Sequence, residues 1–108
     1  LDEQGVYVVA ERDEIQAISR FFKVISDSTR LSILYILKEN KRSVSEIIEL
    51  TGIEQSAISH QLRILKDARL VRSTRAGKSM IYQLDDEHIF DILDQVRIHI
   101  NERKKSNQ

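Results

Sequence analysis

A chain of 108 residues, 41% hydrophobic and 31% charged, supports one small core and a well-solvated surface. It has no cysteine, which removes disulfides, thiolate metal sites and cysteine nucleophiles and fits a reducing compartment; with no bilayer-length apolar run and no signal-like start, a cytoplasmic location without membrane partners is expected. Seventeen basic and seventeen acidic residues give a formal net charge of zero, so any affinity for a polyanion has to come from segregation of charge along the chain.

Residues 1–10 carry Val6, Tyr7, Val8 and Val9 without turn logic and read as an extended or frayed N-terminal arm. From Glu11 to Ile25, Ile15, Ile18, Phe22 and Ile25 recur every three or four positions, with Phe21 as a second apolar edge, which predicts an amphipathic helix. Asp27, Ser28 and Thr29 form a polar break and N-cap. Leu31, Ile33, Leu34, Ile36 and Leu37 then predict a core helix, apolar nearly all round and ending near Asn40.

Ser43 and Glu46 fit a capping box, so a further helix is expected to begin there, with Ile47, Ile48 and Leu50 on its apolar side. Gly52 supplies the positive φ that ends it. After Ile53 a second segment places Ile58, Leu62 and Leu65 at steps of four and three, and Gln55, Ser56, Ser59, His60 and Arg63 occupy the rest. Beyond Asp67 the period changes. Leu70–Arg75 and Ser79–Leu84 read as strands around the turn Ala76-Gly77-Lys78, a β-hairpin. Asp85 or Asp86 caps a last helix running to about Arg103, and residues 104–108 form a polar tail.

The two helices around Gly52 form a helix-turn-helix. The exposed face of the second carries short or medium hydrogen-bonding groups and one cation, where an ordinary solvated face would be rich in Glu and Lys. Such groups meet base edges and phosphates, and an α-helix fits the major groove. Charge agrees: residues 54–82 hold six cations against two acids, while residues 1–14 hold five acids against Arg12 and residues 83–94 hold five acids alone. The basic hairpin, with Arg72, Arg75 and Lys78, reads as a wing against a phosphate backbone. The fold class is therefore mainly α with a β-hairpin (α+β), a winged helix-turn-helix domain over residues 11–103. The bland alternatives are an interior helical hairpin with a polar outer face and a merely solvated basic β-hairpin.

In the last helix, Ile89, Ile92, Leu93, Val96 and Ile100 form one apolar stripe that calls for a partner surface. A second copy of the chain, packed through the terminal helices, supplies one, as does packing within the monomer. Asp86 and His88 stand at the start of this stripe, His99 and Glu102 at its end. His88 and His99 are about 16 Å apart along the axis, too far to share an ion within one chain. Two antiparallel copies about a two-fold near Asp94 would join the first pair of each to the second pair of the other. Two imidazoles and two carboxylates suit tetrahedral zinc best and cobalt next, and with no thiolate they disfavour copper(I), cadmium, lead and arsenite. His60 is assigned to DNA.

Ser26 to Leu34 (Ser-Asp-Ser-Thr-Arg-Leu-Ser-Ile-Leu), Gln55 to Leu65 (Gln-Ser-Ala-Ile-Ser-His-Gln-Leu-Arg-Ile-Leu) and Arg75 to Asp86 (Arg-Ala-Gly-Lys-Ser-Met-Ile-Tyr-Gln-Leu-Asp-Asp) resemble the helix start, recognition helix and wing of the ArsR/SmtB family of bacterial metal-responsive repressors. The resemblance extends from about Ile18 to Glu102. Asp86, His88, His99 and Glu102 match the Asp-x-His and His-x-x-Glu pattern of its zinc sensors of the SmtB and CzrA type. Thiolate-sensing relatives carry cysteines in the helix that here reads Arg42-Ser43-Val44-Ser45-Glu46, which has none.

The resemblance implies an apo homodimer that binds operator DNA and a metal-bound form that releases it. The signal would pass from the other ring nitrogen of His99 to a backbone carbonyl at Arg69. Ser56, Ser59, His60 and Arg63 are the candidate base readers, with Gln55, Arg75 and Lys78 on the backbone. The alternatives are a winged-helix regulator with a non-metal signal and a protein-binding winged helix. A metal hydrolase is weakest, because four protein ligands leave no open position for water.

Overall fold

The computed structural model describes residues 11–106, with side chains to Glu102, and the arm expected over residues 1–10 lies outside them. In chain order the elements are α1 (Arg12–Ile25), α2 (Ser28–Glu39), β1 (Arg42–Ser43), α3 (Val44–Thr51), α4 (Gln55–Asp67), β2 (Val71–Ala76), β3 (Ser79–Leu84) and α5 (Glu87–Ser106). The described residues form a winged helix-turn-helix of five helices and a small antiparallel sheet.

Cap chemistry accounts for the starts of α2 and α3. Asp27 starts α2 by accepting the Arg30 amide at 3.0 Å. Ser43 starts α3 with a complete capping box: its hydroxyl accepts the Glu46 amide at 3.2 Å and its own amide donates to Glu46 Oε1 at 2.9 Å. A serine cap of this kind is worth about 1 kcal/mol. The bond from the Ser43 amide, then that from its hydroxyl, hold the Glu46 carboxyl below its ordinary pKa. A lowered folded pKa means that this support is present above the unfolded value and is lost as pH falls through the folded one.

Sheet order is β1-β3-β2. The two-residue strand β1 has no readable period and was not expected; it pairs Arg42 with Tyr82 and Ser43 with Ile81. In the hairpin, register runs from Val71 opposite Leu84 to Ala76 opposite Ser79. The turn is therefore two residues, Gly77 and Lys78, rather than the expected three, because Ala76 pairs with Ser79. Gly77 takes φ +64° there.

The core joins Ile33, Leu34 and Leu37 of α2 to Ile47 of α3, to Ile58, Leu62 and Leu65 of α4, and to Leu70, Val71, Ile89 and Leu93. The end of α4 is a Schellman motif: the Leu70 amide reaches the Leu65 carbonyl at 2.9 Å and the Arg69 amide reaches Lys66 at 3.0 Å, with Leu65 and Leu70 both fully buried. Its left-handed position is held by Arg69, at φ +58°, where glycine is the usual occupant.

Two expectations for α5 need correction. Its apolar stripe divides: Ile89 and Leu93 are buried in the chain's own core, whereas Ile92, Val96 and Ile100 are 37%, 47% and 55% exposed. The division follows from α2, whose Tyr35 hydroxyl donates to the Leu93 carbonyl at 2.8 Å and whose Lys38 pairs with Asp94 at 3.2 Å while lying 4.3 Å over the Phe90 ring. The helix also runs to Ser106 rather than to about Arg103. The other outward apolar face belongs to α1, where Ile15, Ile18 and Phe22 are 52%, 43% and 56% exposed.

Candidate functional site

Helix α4 is held from below and bare above. Ile58, Leu62 and Leu65 anchor it in the core, and Gln55, Ser56, Ser59, His60 and Arg63 all lie exposed on the other side. Thr51 shapes the approach: its hydroxyl donates to the Ile47 carbonyl at 2.8 Å and accepts the Ile53 amide at 3.2 Å, while Gly52 turns the chain at φ +70°. At the start of α4, the Ser56 hydroxyl donates to Glu54 Oε1 at 2.7 Å. With its proton so engaged, the Ser56 hydroxyl keeps its lone pairs as acceptors.

The tip of the hairpin comes down beside the start of α4. Gln55, Ser59 and Lys78 line one cleft together with Ser43 and Ser45 at the start of α3 and with Ser79. Three candidate DNA residues from two elements are thus brought together. Ser45 and Ser79 are additions that sequence reading missed; the only available signal was a hydroxyl next to Lys78 and another in the first turn of α3. A cleft with a cation and several hydroxyls beside a bare helix face has the chemistry to hold a phosphate.

Arg75 turns back on its own hairpin, its Nε–H donating to the Gly77 carbonyl at 3.3 Å. Arg72 departs from the wing reading. It lines a separate cleft with Lys38, Lys41, Asp85, Asp86 and Asp91, at the foot of the hairpin. Lys78 is exposed at the turn of the hairpin. Lys78→Ala is expected to weaken binding to all duplexes alike and to lower the slope of log K against log salt by about 0.9, read from anisotropy titrations at several salt concentrations.

The four candidate metal ligands occupy the two ends of α5. Asp86 caps the helix: its Oδ1 accepts the His88 amide at 2.8 Å and the Ile89 amide at 3.3 Å, and lies 3.2 Å from His88 Nδ1. Desolvation opposes the Asp86 charge, but the Ile89 amide, the His88 ring and the His88 amide outweigh it and hold the carboxyl below its ordinary pKa. These three contacts all fall on Oδ1. The His88 side chain is 87% exposed. His99 and Glu102 are exposed three turns further on. Among the described residues one chain gathers no group of three or more metal-binding side chains. Asp86 and His88 meet; His99 and Glu102 do not join them.

Residues 27–73 match the profile of the arsR family of bacterial regulatory proteins. Over 94 residues the chain is 33% identical to the transcriptional repressor SmtB homolog of Synechocystis, covering 87% of this chain and 71% of that one. The transcriptional regulator NmtR of Mycobacterium tuberculosis is 38% identical over 82 residues, 76% of this chain and 68% of that one. The solution structure of apo-NmtR superposes with a TM-score of 0.76 at 32% identity, covering 91% of this chain and 82% of that one. A homodimeric winged helix-turn-helix DNA-binding domain from Mycobacterium bovis, 24% identical, shares the fold with a TM-score of 0.82 over 94% of this chain and 95% of that one.

Proposed function

This chain belongs to the ArsR/SmtB family of transcriptional repressors, and from that premise we propose that it is a homodimeric zinc sensor, bound to its operator as apo protein and released by the metal. It acts as a DNA-binding regulator and not as an enzyme. The observation that carries the metal reading is the layout of α5: Asp86 and His88 at one end, His99 and Glu102 at the other, and the exposed Ile92, Val96 and Ile100 between. The two histidines are about 16 Å apart by helical rise, so one chain cannot close the site. A second α5 laid antiparallel would cover the apolar strip and bring Asp86 and His88 of one copy to His99 and Glu102 of the other.

The donors suit this ion. Two imidazoles and two carboxylates make a closed tetrahedral set for zinc, with cobalt second. Bound there, the metal would supply a fixed charge and a cross-link between copies, and no catalysis. Ser56, Ser59, His60 and Arg63 would read bases while Gln55, Arg75 and Lys78 hold the backbone. The other ring nitrogen of His99 would signal to the backbone carbonyl of Arg69, between α4 and the wing.

Cobalt(II) titration of the apo protein tests the reading. Intense visible ligand-field bands at one ion per chain, lost in His88→Ala, are the expected result. Absent bands with operator binding intact would leave a repressor whose signal is not a metal.

A further inference from the structure

We propose that Arg30 is a positioning residue that ties α1 to the recognition helix α4, so that whatever seats α1 also aims α4. Its side chain spans three elements. The Nε–H donates to the Val24 carbonyl at the end of α1 at 2.6 Å, and the Nη1–H donates to Gln61 Oε1 on α4 at 3.0 Å. The residue's own amide is fixed to the Asp27 cap of α2 at 3.0 Å. Helix α1 ends with carbonyls that lack helical partners, and side chains take up two of these, Lys23 by the Ser26 hydroxyl and Val24 by Arg30. The cation also lies at the negative end of the α1 dipole.

The partner on α4 matters as much. A guanidinium offers donors only, so Gln61 must present its oxygen, and its amide plane is set by that bond. Gln61 is half-buried on the flank of α4, between the exposed neighbour His60 and the buried Leu62. Beside the bridge, α1 and the end of α4 border an open groove lined by Ala17, Arg20, Phe21 and Val24 on one side and by Ile64, Asp67 and Ala68 on the other. Apolar contacts are non-directional and permit one helix to roll on the other. The Arg30 bridge is directional and fixes the roll. Since α1 carries the exposed Ile15, Ile18 and Phe22, seating that face would set the rotation of the helix that reads the bases.

This inference rests on the DNA-binding reading, and its test separates the two. A duplex is first selected from random-sequence DNA by the wild-type protein. Arg30→Met and Gln61→Met are then titrated against that duplex, against a version with one half-site scrambled, and against an unrelated duplex. Each severed bridge is expected to cost about tenfold on the selected duplex, the size of one charge-assisted hydrogen bond, with a smaller loss on the single half-site. Affinity for unrelated DNA, the salt slope and the mass in sedimentation should not change. A salt slope lower by about 0.9 in Arg30→Met would mean that Arg30 contacts phosphate, and would overturn the proposal. Equal loss on every duplex, or unchanged affinity, would overturn it too. If Arg30→Met fails to fold, Gln61→Met decides by the same readouts. If the wild type selects no duplex, the DNA-binding reading falls and the bridge's role with it.

Discussion

Zinc added to the operator complex is expected to weaken it by about 5- to 150-fold, a coupling of about 1 to 3 kcal/mol, with cobalt acting in the same direction. The measurement is fluorescence anisotropy of one labelled duplex with and without metal, in the same salt, since salt alone moves such affinities by orders of magnitude. Linkage requires the reverse effect of equal size: operator should weaken zinc by the same factor. His88→Ala and His99→Ala should abolish the response through loss of the site, leaving apo binding at the wild-type level. His99→Gln is the sharper variant. Should it bind zinc and stay fully inducible, the proposed route from the His99 ring to the Arg69 carbonyl is wrong.

The second large effect is on stability. Leu62 is 1% exposed on the underside of α4, where it meets the core shared with α2 and α3. Leu62→Ala is expected to cost about 2 to 5 kcal/mol, because a lost methyl cluster leaves a cavity that its neighbours only partly fill. Against a total of about 5 to 15 kcal/mol for a domain of this size, that removes much of the folded population on mild warming, and operator binding with it. Urea titration reads it directly. Ser59→Ala, on the outer side of the same helix, should stay within about 0.5 kcal/mol of wild type and lose sequence discrimination instead. A Leu62→Ala midpoint equal to that of wild type would refute this account of how the helix is held.

These contrasts were legible because local chemistry decides them. Ser43 and Glu46 announce a capping box within four residues, and Ile58, Leu62 and Leu65 divide α4 into a buried and a bare side by spacing alone. The hairpin showed itself by its change of period and by Gly77. What stayed hidden depends on partners distant in sequence. Strand β1 is only a ladder with Tyr82 and Ile81, about forty residues on. The apolar stripe of α5 is one face by periodicity, and only Tyr35 and Lys38 of α2 show which part the monomer keeps. The Arg30–Gln61 bridge joins residues 31 positions apart, both in motifs that sequence reading had placed, yet nothing in either motif names the other. The two ends of α5 are readable as pairs of potential ligands, and the proposed site would need a second chain to close it.

Ser43 does more than cap. It ends β1, pairs with Ile81 of the wing, starts α3 and lines the cleft beside Lys78. Backbone ladder and helix start share one residue, so the hairpin has no hinge against the helix-turn-helix. Such a reading head would be stiff, and in the proposed metal-free two-fold pair two such heads would meet the duplex at a separation set by the interface between the copies. The adjustment then falls to the DNA: where half-sites are out of phase, base-pair steps between them must bend or twist, cheaply at TA or CA and dearly in a stiff A-tract. Part of the operator preference would in this way reside in base pairs that no side chain touches.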